Sequence, residues 1–208
     1  MKRSKKMMLT TMVLLSTTAQ LAHAANDGKW MIRARALGVI PQESSSITPI
    51  GGKAKVDNSV VPEVDFSYFF TPNIAAELIL ATTPHNVKAK GTGLGTVDVG
   101  SAWLLPPTLT LQYHFTQFQD FKPYVGAGIN YTIFYNEDSG ALSSVHYKNS
   151  FGGALQMGVD IPVHDNWNLN LDVKKIWIDT TANFNNGGVI ADVNINPWVM
   201  GVGIGYRF

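Results

Sequence analysis

Three features of the 208-residue sequence predict an all-β fold, an eight-stranded antiparallel up-and-down transmembrane β-barrel. The final segment alternates apolar residues with small or charged ones, which gives a strand one continuous apolar face. Aromatic residues recur on single strand faces at a spacing that fits the thickness of a bilayer. Eight alternating segments are joined by connections that are alternately long and short, as in an up-and-down barrel.

The N-terminus predicts export. Four basic residues within positions 2–6 precede a mostly apolar run over 7–21, and Ala22-His-Ala24 provides an A-x-A cleavage site. A membrane anchor is disfavoured because the run is short and interrupted by Ser and Thr. We expect residues 1–24 to be a signal peptide and 25–208 to form a barrel in the bacterial outer membrane.

Composition excludes several classes of protein. Without residues 1–24 the chain has 12 basic and 15 acidic residues, a net charge of −3, so a nucleic-acid partner is not indicated. The absence of cysteine excludes disulfides and thiolate chemistry. No later segment approaches the roughly 18 to 20 apolar residues of a spanning helix, so a membrane-embedded sheet remains the simplest interpretation.

Strands 1 to 3 are predicted at about 29–40, 60–70 and 74–83. Each alternates apolar residues with polar or charged ones, and the apolar face should meet lipid. The opposite faces carry the charged residues Arg33, Arg35, Glu63, Asp65 and Glu77. We expect these side chains to point into the lumen.

Strands 4 and 5 are predicted at about 101–115 and 123–135. Strand 4 has Gln112 and His114 on its inward face, and Pro106-Pro107 should interrupt its hydrogen-bond ladder locally. Strand 5 alternates outward apolar residues with inward small or polar ones, including Gly126 and Gly128.

Strands 6 to 8 are predicted at about 150–161, 167–178 and 193–208. Their inward positions include Asp172 and Lys174 together with the glycines Gly152, Gly158, Gly201, Gly203 and Gly205. The last strand is apolar at every even position from Trp198 to Phe208.

The connections predict the orientation of the barrel. The short ones are 71–73, 116–122 and 162–166, and the long ones are 41–59, 84–100, 136–149 and 179–192. Short turns are periplasmic in such barrels, so we expect both termini there and the long connections to be outer loops.

Aromatic spacing supports the membrane assignment. Three aromatic pairs each share one face of a predicted strand: Trp167 and Trp177, Trp103 and Tyr113, and Trp198 and Tyr206. At about 3.3 Å per residue and a tilt near 40°, each pair spans roughly 20 to 25 Å along the barrel axis. We therefore expect two aromatic girdles formed by Trp30, Trp103, Tyr113, Trp167, Trp177, Trp198, Tyr206 and Phe208.

Several stretches resemble the OmpW family of small outer-membrane proteins. They are Leu105-Pro-Pro-Thr-Leu-Thr-Leu-Gln-Tyr-His-Phe115, Pro123-Tyr-Val-Gly-Ala-Gly-Ile-Asn-Tyr-Thr132 and the terminal Gly205-Tyr-Arg-Phe208. The resemblance implies an eight-stranded barrel with extended outer strands. It also implies a narrow apolar channel that passes small hydrophobic compounds and releases them sideways into the membrane.

The inward charges admit two compatible interpretations. Seven of them should form a lumen network: Arg33, Arg35, Glu63, Asp65, Glu77, Asp172 and Lys174. Buried charges must be paired, so a structural ion-pair network is one interpretation. The other is a constriction, with a wall of small residues leaving space above it: Gly126, Gly128, Gly152, Gly158, Gly201, Gly203 and Gly205.

Catalytic, cofactor and metal sites are not predicted. The best polar collection, in loop 136–149, contains Ser143, Ser144 and His146, but no nucleophile motif surrounds either serine. The remaining histidines lack metal-ligand spacing. We expect no enzyme activity, no cofactor and no metal.

Two functions remain open. The first is a channel for passive uptake of small hydrophobic molecules, with an apolar upper lumen. The alternative is a structural or surface-interaction barrel with a filled lumen, which binds external partners through its loops. In both, the expected partners are membrane lipid, lipopolysaccharide and the barrel-assembly machinery, and the lysines of the outer loops would serve lipopolysaccharide contact.

Overall fold

The computed structural model describes residues 28–48, 51–93, 95–140 and 144–208. The predicted signal peptide, 1–24, and its cleavage site lie outside these residues. None of the helical structure in the described ranges is long and apolar enough to cross a membrane. A single turn of 3₁₀ helix occurs in these ranges, at Asn185–Gly187.

The described residues form fifteen strands. In chain order they are β1 (Trp30–Ile40), β2 (Ser44–Thr48), β3 (Lys53–Val56), β4 (Ser59–Phe69), β5 (Ile74–Ala81), β6 (Thr83–Thr92), β7 (Gly95–Leu105), β8 (Thr108–His114), β9 (Lys122–Asp138), β10 (Val145–Tyr147), β11 (Ser150–His164), β12 (Trp167–Ile176), β13 (Asp179–Phe184), β14 (Val189–Asn194) and β15 (Trp198–Arg207).

Eight of these strands close a barrel. The order is β11-β12-β15-β1-β4-β5-β8-β9, and β9 pairs back onto β11. The first and last strands meet at the seam, where the backbone N–H of Trp30 donates to the carbonyl of Phe208 at 3.0 Å and the N–H of Phe208 donates to Trp30 at 2.8 Å. All ladders are antiparallel, which confirms the predicted fold class.

The prediction of four long outer loops is wrong. Most of their described residues are in strands that continue the barrel beyond the bilayer. These are β2 and β3 in 41–59, most of β6 and the first half of β7 in 84–100, the end of β9 and β10 in 136–149, and β13 with most of β14 in 179–192. We call these strands the outer extension. Predicted strand 4 is accordingly two strands, β7 and β8, separated at Pro106-Pro107 as expected from the missing N–H donors.

The polarity of the inward and outward faces is reversed between the membrane-level barrel and the outer extension. In β1 the buried inward side chains include Arg33 and Arg35, and the outward ones are apolar. In β6 the buried inward residues include Val87 and Ala89, while Lys88 and Lys90 are exposed outward. The outer extension is therefore built like a small barrel in water, and its polar exterior made it look like loops in the sequence.

Aromatic side chains encircle the barrel at two levels. At the end that carries both chain termini, Trp167 packs on Tyr206 and Tyr206 on Phe208. Next along the same rim, Trp30 packs on Tyr68, with ring centroids 4.8 Å apart. The other level includes the exposed rings of Trp103, Trp177 and Trp198.

Candidate functional site in the lumen

Arg33 is the centre of the buried polar network at membrane level. Its Nη2 and Nε atoms donate to the two carboxylate oxygens of Asp160, at 2.8 and 3.2 Å. Its Nη1 atom donates to Asp65 at 3.1 Å, to Ser67 at 2.9 Å and to Glu77 at 3.2 Å. The guanidinium is fully buried, so these groups replace its hydration.

Arg35 holds the next layer of the network. Its Nη2 atom lies 2.5 Å from Asp65 Oδ2 and 3.0 Å from Glu77 Oε1, and its Nε atom donates to Glu63. The network thus joins carboxylates from β4 and β5 to two cations from β1. This agrees with the inward positions expected from the alternating sequence.

Lys174 completes the network on β12. Its Nζ atom lies 2.7 Å from Asp172 Oδ1 and 3.2 Å from Glu63 Oε2, and all three side chains are buried. All seven charged residues singled out in the sequence are therefore brought together in one connected cluster.

Neutral side chains fill the remaining space at this level. Gln112 Nε2 donates to Glu77 at 2.8 Å, and His114 Nε2 lies 2.9 Å from Gln112 Oε1. His114 also stacks on Tyr124, with centroids 4.9 Å apart. Towards the end of the barrel that carries both chain termini, Met31, Phe69 and Ala75 form a small buried apolar cluster.

The network contains further residues that the sequence analysis did not assign to it. Asp160 binds Arg33 directly, Asn170 accepts from Arg35 at 3.1 Å, and Gln156 donates to Glu77 and Asp172 at 2.8 Å each. Tyr124, on the inward face of predicted strand 5, donates to Asp172 at 2.6 Å. Asp160 and Gln156 have the same parity on β11 as the inward Gly152 and Gly158. That alternation was a sufficient signal to place both in the lumen.

The glycines do not leave open space beside the network, which corrects the expected small-residue wall. A Cβ at Gly203 would lie 2.7 Å from both Cα and Cγ of Arg35, and one at Gly205 would lie 3.0 Å from Cγ of Arg33. The same crowding applies at the other positions: Gly126 meets Gln112 and Gln156, Gly128 meets the β8 backbone, Gly152 meets the backbone of Trp177, Gly158 meets Tyr124, and Gly201 meets Leu37. These glycines accommodate large side chains and close backbones.

An apolar cavity lies above the network, inside the outer extension. Its volume is about 80 Å³, several times what one water molecule requires. Most of its lining is aliphatic or aromatic, including Val87, Leu104, Phe134 and Phe184. A second cavity of about 40 Å³ continues towards the membrane and reaches Glu63 and Lys174, where the charge network begins.

The wall of the barrel has a seam between β4 and β6, beside the lower cavity. The β4–β5 ladder ends at the pair Glu63 and Ala81, and no ladder pair between β4 and β6 is present among the described residues. Ser59 Oγ instead donates to the carbonyl of Pro84, and His85 Nδ1 lies 2.8 Å from the carbonyl of Asp57. The backbone N–H of Asp57 also donates to the carbonyl of Asn86 at 3.2 Å, above which the β3–β6 ladder begins at Val56 and Val87. A few isolated hydrogen bonds therefore hold this part of the wall, whereas continuous ladders hold its neighbours.

The polar residues of the predicted loop 136–149 hold β9 and β10 together at the end of the outer extension. Glu137 accepts a hydrogen bond from the backbone N–H of Tyr147 at 2.8 Å, and its other oxygen lies 3.2 Å from His146 Nδ1. Ser144 pairs with Asn186, and Ser143 lies outside the described residues. Among the described residues there is no cluster of three or more side chains suited to a metal ion.

Comparison with known proteins agrees with this architecture. Residues 26–208 match the sequence profile described as the OmpW family. The chain is 50% identical over 190 residues to the uncharacterized outer-membrane protein y4mB of Sinorhizobium fredii, covering 89% of this chain and 82% of that protein. It is 38% identical to outer membrane protein W of Escherichia coli, covering 98% and 100%. The crystal structure of OprG from Pseudomonas aeruginosa superimposes with a TM-score of 0.81 and 32% identity, covering 87% of this chain and 96% of that one.

Proposed function

The chain belongs to the OmpW family and is a β-barrel protein of the bacterial outer membrane, and on this premise we propose that it is a narrow channel for passive uptake of small hydrophobic molecules. The proposal assigns it no catalytic step. Binding and release of the cargo depend on the lining of the lumen alone.

The observation that carries the proposal is the change in the lumen along the barrel axis. A solute entering the outer extension meets an apolar cavity lined by residues such as Val87 and Phe134. At Glu63 and Lys174 the lining becomes charged and hydrogen-bonded. An apolar solute gains from leaving water in the first region and would disrupt buried ion pairs in the second.

The charge network fills the lumen at membrane level, and this favours a sideways exit of the solute over passage along the barrel axis. The lower cavity is lined by Ala81 and Thr83, which flank the seam between β4 and β6. Opening there would break the hydrogen bonds of the Ser59 and His85 side chains and the backbone hydrogen bond from Asp57 to Asn86. It would leave the β1–β4 ladder intact. We place the exit at this seam, which leads from the apolar cavity towards lipid.

The proposed partners follow from the same arrangement. Membrane lipid and lipopolysaccharide surround the barrel, and small hydrophobic solutes are the cargo. The barrel-assembly machinery would engage the last strand, which is followed directly by the exposed ring of Phe208.

Uptake by intact cells tests the channel. Cells that express the protein should take up octane faster than cells without it, while the uptake of a monosaccharide stays the same. Faster entry of the sugar would instead indicate an ordinary aqueous pore. No gain for either probe would favour the alternative, a surface-interaction barrel.

A further inference from the structure

We propose that the outer face of β3 and β6 binds phosphate groups of lipopolysaccharide, through Lys53, Lys55, Lys88 and Lys90. This rests on the outer-membrane placement within the proposed function and is independent of the cargo. We call these four residues the lysine face.

The register of the two strands puts like charges opposite one another. Lys53 pairs with Lys90 and Lys55 with Lys88 across the ladder, and all four side chains are exposed. Like charges directly opposite in a sheet are destabilising. An anion bound between them would relieve the repulsion.

Neighbouring carboxylates compensate little of the charge of the lysine face. Lys55 lies 2.7 Å from Glu43, whose carboxylate raises the pKa of Lys55. Lys88 is opposite Asp98 in the register of the β6–β7 ladder, with no ion pair between the two side chains. Lys53 and Lys90 make no ion pair with any carboxylate in the described ranges. The uncompensated charge is therefore concentrated at this pair.

The shape of the surface suits a headgroup. Lys53, Lys55 and Lys90 line an open groove of about 570 Å³ together with Glu43 and Ser45. Glu43 is already held by Lys55, so the groove keeps an excess of positive charge.

The height of the lysine face matches the polar part of the outer leaflet. Pro84 pairs with Trp103 of the outer girdle, and Lys88 and Lys90 follow it by four and six residues on β6. At about 3.3 Å per residue and a tilt near 40°, their backbones stand roughly 10 and 15 Å above the girdle. Headgroup phosphates and charged sugars of an anionic lipid lie at that level, and basic side chains near such a surface bind it electrostatically.

A purely structural explanation of the lysines also exists. β3 pairs only with β6 in its sheet, so it is an edge strand, and lysines on an edge discourage pairing with other chains. This explanation predicts aggregation of neutral variants without any change in lipopolysaccharide binding.

Titration of the folded protein with purified lipopolysaccharide distinguishes these explanations. Lys53→Gln/Lys90→Gln should lower the affinity about tenfold or more, and Lys53→Arg/Lys90→Arg should retain it. Lys29→Gln/Lys148→Gln is the matched control, because it removes the same charge from exposed positions elsewhere. Lipopolysaccharide stripped of its phosphates should bind all variants equally weakly, and inorganic phosphate alone should compete only at high concentration.

Three results would overturn the inference. One is unchanged affinity in Lys53→Gln/Lys90→Gln, whether or not that variant aggregates. Another is an equal loss in the control, which would indicate a general effect of net charge. The third is undiminished binding of the dephosphorylated lipid by the wild type. Octane uptake, measured on the same variants, reports on the channel separately.

Discussion

Arg35 lies directly opposite Gly203 in the β1–β15 ladder, and the carbonyl oxygen of Ala34, together with Cα and Cγ of Arg35, occupies the space that a side chain at 203 would need. Arg33 has the same relationship with Gly205. The glycines of the last strand and the arginines of the first thus form one packing unit across the barrel seam. The glycines therefore do not line an open channel; they leave room for the arginines of the ion-pair network.

Gly203→Ala should therefore destabilise the barrel. Its Cβ would clash with the carbonyl oxygen of Ala34 and lie 2.7 Å from Cα of Arg35, and such overpacking costs about 1–3 kcal/mol. Gly38→Ala is the matched control, because the nearest atom to its Cβ would be 4.0 Å away. Urea unfolding in detergent micelles measures both, and equal stability of the two variants would contradict this packing.

Arg33→Ala should cost about 3–5 kcal/mol, since it leaves buried carboxylates without their partner. Lys53→Ala, on the exposed lysine face, should have little effect on unfolding. Arg33→Met/Asp160→Asn should lose less than Arg33→Ala, because it removes both charges of the bidentate pair. Unfolding free energies in lipid vesicles test this, and similar small losses for Arg33→Ala and Lys53→Ala would indicate a hydrated lumen.

Deletion of Phe208 should impair assembly more than Phe208→Asp does. The deletion removes both backbone hydrogen bonds to Trp30 and the aromatic ring, whereas the substitution keeps the backbone pair. Phe121→Ala is a control, because this exposed ring lies in the short connection between β8 and β9, away from the β1–β15 pair. The fraction of protein whose gel migration changes after boiling measures how much of it had folded into a barrel. Full assembly without Phe208 would show that β1 and β15 pair independently of this residue.

Alternation in the sequence was enough to predict the barrel, the lipid-facing side of each strand and the convergence of seven charged residues. It was not enough for the outer extension, because β6 keeps the two-residue period with its polar face outward. Val87 and Ala89 alternate with Asn86, Lys88 and Lys90, a composition that in the sequence is typical of a solvated loop. The crowding at Gly203 depends on register, and a single sequence does not reveal which residue of β1 lies opposite.

The seam between β4 and β6 can be locked by a disulfide, since the natural chain contains no cysteine. Ser59 Oγ and His85 Nδ1 are 3.4 Å apart, so Ser59→Cys/His85→Cys places two thiols at this seam. Oxidation should slow octane uptake by intact cells at least fivefold and reduction should restore it, because the proposed exit needs these strands to part.

Ala36→Cys/Val202→Cys is the control. It joins partners in the continuous β1–β15 ladder, and its oxidation should leave uptake unchanged. Normal uptake through the oxidised Ser59→Cys/His85→Cys protein would place the exit elsewhere, and loss of uptake that reduction does not restore would implicate the His85 side chain itself.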